Sequence, residues 1–360
     1  MAETWYAILA FMIAMYVVLD GWNIGAGAIH LLVARNDADR RTVVAAIGPF
    51  WVWHEVWLIA AGGVLLLAFP AVMASLFSGF YLAMHLLVWG LIGRGVAIEM
   101  AGHIRDRMWR TFWDTIFAIS NIVLAILLGA AFGNVVRGVP LDAQGTVSLA
   151  LFTNFQPTGA VGLLDWYTIA AAVFMLLCLS AHGAAYLAWR TEGSVNAAAR
   201  RLGGRLWGAT FVMFAILAIL TWIVRPDMFA SMTHRPVAWL CIAMILGGVS
   251  AIVTGWQTGR ERRAFLGGCI FIIGMAGAGA AGLYPIMLHS TLSPEYSVSL
   301  DQGGAFPLSQ KLALFWWPVA LALSLGYIAF IARYFGGKVG PAGPQSYGTA
   351  SEPLPDEEPA

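Results

Sequence analysis

The sequence predicts an all-α polytopic membrane protein with nine transmembrane helices. Of 360 residues, 60% are hydrophobic and only 11% are charged, where about 25% charged is usual in a soluble domain. Nine apolar runs are each long enough, at roughly 20 residues, to cross a bilayer as helix. The basic residues between those runs are sorted unequally between alternate connections, as topology in a membrane requires.

The runs lie near 5–33, 51–70, 76–99, 111–134, 164–189, 206–224, 236–256, 264–289 and 310–334. No Lys or Arg precedes Arg35, whereas a signal peptide starts basic, so the first run is expected to be retained as a span. Only Pro70 to Ser75 separates the second run from the third, which predicts a tight antiparallel hairpin. Fifteen of the twenty basic residues fall in the connections after spans one, three, five and seven and in the tail, among them Arg35, Arg105, Arg200, Arg260 and Lys338. Basic loops stay in the cytoplasm, which places the N-terminus outside and the C-terminus inside. The expected parts are residues 1–135 and 164–289 as two helical units, external connections at 136–163 and ahead of a ninth helix within 290–335, and a disordered Gly- and Pro-rich tail over 336–360.

Composition also excludes functions. A net charge of +1 gives no footprint for nucleic acid. Cys178, Cys241 and Cys269 stand in apolar runs, away from metal-ligand spacing. There is no phosphate-binding Gly loop and no Cys-x-x-Cys-His haem attachment. Most of the sixteen tryptophans lie near span ends, where they act as interfacial anchors.

Ionisable residues inside spans cost about 2.5 to 3.5 kcal/mol at the bilayer centre, so each is a functional candidate. In span one Asp20, Asn23, Gly27 and His30 fall within an arc of about 80°, one polar stripe. Asp20 lies roughly 20 Å from the cytoplasmic end of its span at 1.5 Å per residue. His54 and Glu55 sit one turn inside span two, on a face shared with Trp51 and Leu58. Arg94 and Glu99 lie in span three, about 140° apart, so Arg94 is expected to compensate Glu55 or Asp20 across helices. Asp20, His30, His54, Glu55 and Glu99 are thus candidates for a proton path, with Arg94 as the structural ion-pair partner. Carboxylates and imidazoles suit that task because burial and a neighbouring Arg tune them; the same residues also fit a polar network that merely holds three helices in register. His182 and Tyr186, one turn apart in span five, read as interhelical hydrogen bonds. Gly274, Ala278 and Gly282 permit close helix contact, and Tyr284-Pro285 ends the eighth helix ahead of His289.

Several stretches together resemble subunit II of the bacterial cytochrome bd quinol oxidases. They are Val18-Leu19-Asp20-Gly21-Trp22-Asn23-Ile24-Gly25, Ile47-Gly48-Pro49, Glu55-Val56-Trp57-Leu58, Ala61-Gly62-Gly63 and Phe69-Pro70. Phe77-Ser78-Gly79-Phe80-Tyr81-Leu82, Arg94-Gly95 with Glu99, His182-Gly183 to Glu192-Gly193, and Tyr284-Pro285 follow in the same order. The resemblance implies two four-helix bundles and one peripheral helix, in the bacterial inner membrane. It implies a heterodimer with a subunit I that carries two b-type haems and one d-type haem, or a b-type substitute, and that oxidises quinol and reduces dioxygen to water. This subunit would be haem-free, would support its partner and would offer a cytoplasmic proton route; a small third subunit and a bound quinone are compatible with the resemblance. One departure stands out. The family usually reads Trp-Asp-Gly-Asn followed by Glu or Gln, but here the stretch is Trp51-Val52-Trp53-His54-Glu55. Val52 replaces an acid tied to proton entry, and His54 and Glu55 are the residues at hand to substitute. A proton-coupled secondary transporter with Asp20 and Glu55 as coupling sites is the alternative, although transporters interrupt spans near the midplane while Pro49 and Pro70 lie at span ends. A purely structural membrane partner is the third reading.

Overall fold

The computed structural model describes residues 1–104, 106–153, 155–156, 160–302 and 307–340. In chain order the helices are α1 (Ala2–Ala28), α2 (His30–Val33), α3 (Asp37–Ile47), α4 (Trp51–Ala68), α5 (Pro70–Gly79), α6 (Tyr81–Met100) and α7 (Arg107–Arg137). After the strand pair β1 (Ala150–Phe152) and β2 (Gly162–Leu164) come α8 (Trp166–Arg190), α9 (Gly193–Val224), α10 (Pro226–Thr233), α11 (Pro236–Gln257) and α12 (Glu261–Leu283). Strands β3 (Ile286–Leu288) and β4 (Val298–Ser299) precede α13 (Pro307–Tyr334). Nine of these helices, among the described residues, are long and apolar enough to cross a membrane: α1, α4, α6, α7, α8, α9, α11, α12 and α13. They match the nine expected runs.

Eight of the spans fall into two groups of four. In the first, α1 packs on α4 and α7, and α7 on α6; in the second, α8 packs on α9 and α12, and α12 lies along α11. The groups meet where α1 and α7 pack on α8. At that seam Gly25 and Gly183 let two backbones touch. A Cβ on Gly25 would stand 1.8 Å from the carbonyl oxygen of Leu179, and one on Gly183 would stand 2.2 Å from the amide nitrogen of Ala26. Small residues likewise bring α11 and α12 together: Gly274 sits against Cys241 and Ile245, while Gly282 meets Met228 of α10. Helix α13 stands outside both groups and touches α4, with the Trp53 and Tyr327 ring centroids 4.2 Å apart and Gln310 Nε2 donating to the Ala68 carbonyl at 3.3 Å.

Two expectations need correction, and one connection holds a further helix. Pro70 to Gly79 is a helix of its own, because Pro70 fits the first helical position with its φ already set, so spans two and three are joined by α5 rather than by a tight turn. Ser75 of α5 donates to the Gly145 carbonyl at 2.7 Å and ties this segment to the connection after α7. Asp37–Ile47 is also helical: the Asn36 side chain caps it by accepting from the Asp39 amide at 2.8 Å. Residues 338 and 339, expected in the tail, are held by specific bonds. The Val339 amide donates to the Arg190 carbonyl at 2.7 Å, its carbonyl accepts from Glu192, and Lys338 pairs with Glu261 at 2.8 Å; the rest of the expected tail, 341–360, lies outside the described residues.

Candidate functional site

The spans place one ion cluster between α1, α4 and α6. Arg94 of α6 donates from both terminal nitrogens to the two oxygens of Asp20, each at 3.0 Å, and also donates to Glu55 of α4. The planar guanidinium suits this fork, and a charge-assisted pair of bonds fixes its orientation. Asn23 Nδ2 donates to Asp20 at 3.2 Å and to His54 Nδ1 at 2.7 Å. Asp20, Asn23, His54 and Arg94 are almost wholly buried, whereas the Glu55 side chain is 21% exposed. The cross-helix role expected of Arg94 therefore holds for both carboxylates at once.

Charge counting gives this cluster its chemistry. Two carboxylates face one guanidinium, so the group is neutral only when one carboxyl carries a proton, and an uncompensated charge is costly in such surroundings. Asp20 is clamped by the fork and by Asn23. Glu55 alone keeps an open edge, which makes it the member able to exchange a proton with its surroundings. Val52 lies on the same outer flank of α4 at 58% exposure, with Ile59 at 72%. His54 projects the other way, into the core, with its ring 4.8 Å from that of Trp22. Residues 52 and 54 are about 200° apart on a helix, so His54 does not take the direction of an acid at 52; Glu55, about 60° away, is the carboxylate that shares that flank.

The polar stripe of α1 continues beyond its break at Ile29. His30 Nε2 lies 3.1 Å from Asp114 Oδ1 of α7, and Arg40 of α3 donates to the other Asp114 oxygen at 2.8 Å. Arg110 closes the group on Asp37 at 3.0 Å. Asp114 was not among the candidates named from sequence, although it is an ionisable residue inside the fourth apolar run, the signal used for all the others. Glu99 was named and does not belong: it is exposed near the end of α6, and among the described residues its carboxylate joins neither cluster. Two residues after the inward-facing Ala97, it simply lies on the opposite face of the helix.

His182 and Tyr186 make the interhelical bonds expected of them, His182 Nε2 to the Val18 carbonyl at 3.2 Å and Tyr186 Oη to the Ala46 carbonyl at 2.7 Å. Trp22 stacks on Tyr186 with ring centroids 4.8 Å apart. Tyr284 donates to Glu3 at 2.6 Å, pinning the end of α12 to the start of α1. At that same end Arg137 pairs with Asp165 and donates to Asn134 and to the Gly162 carbonyl at 3.0 Å, a latch between α7 and α8 that carried no sequence signal beyond its charge.

The buried imidazoles do not fit axial ligation of a haem. His30 is committed to Asp114 and His54 to Asn23, and His182 is enclosed by Phe265, Trp22 and Gly268, where even a Cβ added to Gly268 would stand 2.8 Å from its Nδ1. Among the described residues no three His, Cys, Asp or Glu converge at metal-binding distance.

Comparison with known proteins agrees with this arrangement. Residues 1–335 match the family model described as cytochrome bd terminal oxidase subunit II. The chain is 33% identical over 220 residues to cytochrome bd-I ubiquinol oxidase subunit 2 of Escherichia coli strain K12, a match spanning 61% of this chain and little more than half, 56%, of that protein. It is 26% identical over 317 residues to cytochrome bd ubiquinol oxidase subunit 2 of Bacillus subtilis strain 168, covering 86% of this chain and 88% of the relative. In fold it is similar to a chain of the bd oxidase from Geobacillus thermodenitrificans, with a TM-score of 0.69 at 18% identity over 93% of this chain and 98% of that one. With nearly the whole chain matched by one family model and the same architecture in a solved bd oxidase, the chain belongs to the cytochrome bd terminal oxidase subunit II family.

Proposed function

We propose that this chain is the haem-free subunit II of a cytochrome bd type quinol oxidase, that it seats against a haem-bearing subunit I in the bacterial inner membrane, and that it carries protons through the Asp20, Arg94 and Glu55 cluster toward that partner. The haems, two of b type and one of d type or a b-type substitute, belong to the partner in this reading, as does the chemistry of quinol and oxygen. The observation that carries the reading is the open edge of Glu55. A carboxylate edge is costly against lipid, yet it lies on a flank of α4 that is otherwise apolar, so protein is expected to cover it, and a proton held there is passed across that contact.

Orientation follows the arginines. The connections expected in the cytoplasm gather at one end of the bundle, around α2, α3, Arg190, Glu261 and Lys338. The N-terminus, α5, α10 and the strand pairs lie at the other, which we place outside. Glu55 then sits about one turn inside the cytoplasmic end of α4. Purification of the complex from native membranes tests the reading: haem absorbance in the visible range and quinol-driven oxygen uptake should accompany this chain in constant proportion. Haem-free preparations that accumulate a solute against a gradient would favour the transporter instead. The purely structural reading draws on the fork from Arg94 to Asp20, which would hold α1 and α6 in register with or without proton traffic.

A further inference from the structure

Between the two clusters, α1 and α7 face each other with matching polar stripes. Asn23, Gly27 and His30 are spaced by four and three residues on one side; Asp114 and Asn121, seven residues apart, share a face on the other. Asn121 lies directly against Gly27, where a Cβ would stand 2.1 Å from its Nδ2. Its amide nitrogen donates to the Phe117 carbonyl at 2.7 Å, which leaves the amide oxygen free to face along the seam. Three buried polar atoms in this stretch have no hydrogen-bond partner among the described residues: His30 Nδ1, Asn121 Oδ1 and Asn23 Oδ1. All three residues are no more than 1% exposed. One unpartnered buried polar atom costs about 1 to 3 kcal/mol, and three spread over about 10 Å of helix are most simply satisfied by bridging water.

We infer that this seam is a proton entry to the Asp20, Arg94 and Glu55 cluster, beginning at Asp114 and running through His30 and past Asn121 to Asn23. It rests on the proton-carrying role proposed for that cluster. The mouth is open to water: the side chains of Arg40, Asp37 and Arg110 around Asp114 are 23%, 35% and 18% exposed. A proton taken up by the Asp114 carboxylate moves to His30 Nε2, and the proton on Nδ1 leaves inward to water, so one proton enters the ring for each that leaves and Asp114 returns to carboxylate. Asn121 and Asn23 carry no proton themselves; their oxygens orient the water that does. The amide of Asn23 already touches both Asp20 and His54, so the seam ends in the cluster. An acid at position 52 is then not needed for supply from the cytoplasm.

The test uses the purified complex, with quinol-driven oxygen uptake expressed per haem. Asp114→Asn and His30→Gln should each slow uptake by about tenfold, with the fall steepest at alkaline pH, and Asp114→Glu should restore most of it. Glu55→Gln is measured alongside as the marker of the cluster. If Glu55→Gln is slow while Asp114→Asn and His30→Gln keep full turnover, the seam is not an entry and the role of the cluster stands. Full turnover in all three overturns both. A slow Asp114→Asn beside a normal Glu55→Gln also overturns the inference, because the route would not end in the cluster. Where a charge variant fails to assemble, Asn121→Leu serves, since it removes the free oxygen and leaves the ion pairs alone. Ordered water at all three free atoms in a high-resolution structure of the complex is the expected companion result, and a dry seam contradicts it.

Discussion

Replacing Arg94 with Ala removes three hydrogen bonds, two of 3.0 Å to Asp20 and one to Glu55. The guanidinium is 1% exposed and Asp20 is wholly buried, so neither charge regains water when its partner goes. Deleting one partner of a buried pair costs about 3 to 5 kcal/mol, mostly as the penalty on the charge left behind. Glu55 adds little to that figure, because its open edge can be solvated or can take up a proton. The assay is the yield of haem-containing complex from membranes and its melting temperature. Arg94→Ala should assemble poorly and melt early. Arg94→Lys should fall between, since a single ammonium cannot fork to both oxygens of Asp20 and still reach Glu55. The decisive partner is Arg94→Ala combined with Asp20→Asn: with no stranded charge, stability should return by more than half, a coupling that two independent sites would not show. An Arg94→Ala complex that assembles and melts like the parent, or a double variant no better than the single, would refute the assignment of a buried, mutually dependent pair.

Gly183→Ala should abolish assembly, because its Cβ meets backbone of α1 rather than a side chain that can turn away, and overpacking of this kind exceeds the usual cost of about 1 to 3 kcal/mol; immunodetection of the complex in membranes reads it. His54→Ala leaves Asn23 short of an acceptor and should lower the melting temperature by an amount matching about 1 to 3 kcal/mol, while slowing oxygen uptake less than Glu55→Gln does. Val52→Asp should not rescue His54→Ala, since the two side chains leave α4 on different sides; rescue measured as uptake per haem would contradict the geometry. Expressed without its partner, the chain should show no stoichiometric Soret band.

The nine spans were legible because length and hydropathy alone decide them, and the pairing of Arg94 across helices followed from the i, i+5 offset that keeps it from Glu99. What composition could not supply was direction within a helix face. Glu99 and Arg94 look equivalent as intramembrane charges, but only the face of α6 turned toward α1 and α4 reaches the cluster. His54 and Glu55 are neighbours in sequence that leave α4 on different sides, so a substitute for the acid at Val52 could not be assigned to one of them from spacing. Helix α5 was masked because the apolar residues on either side of Pro70 read continuously, and the capped helix α3 because its mixed composition resembles a loop. Asp114 and Asn121 were readable as polar positions on one face of the fourth span, yet their meaning depends on facing the α1 stripe, which is a tertiary fact.

The most direct measurement is quinol-driven oxygen uptake per haem by the complex carrying Glu55→Gln. The amide keeps the size of the side chain and can still meet Arg94, so haem content and melting temperature should stay near the parent values, while uptake should fall by roughly tenfold or more across neutral pH. Unchanged uptake at parental haem content would mean that the cluster of Asp20, Arg94 and Glu55 holds helices together and carries no protons.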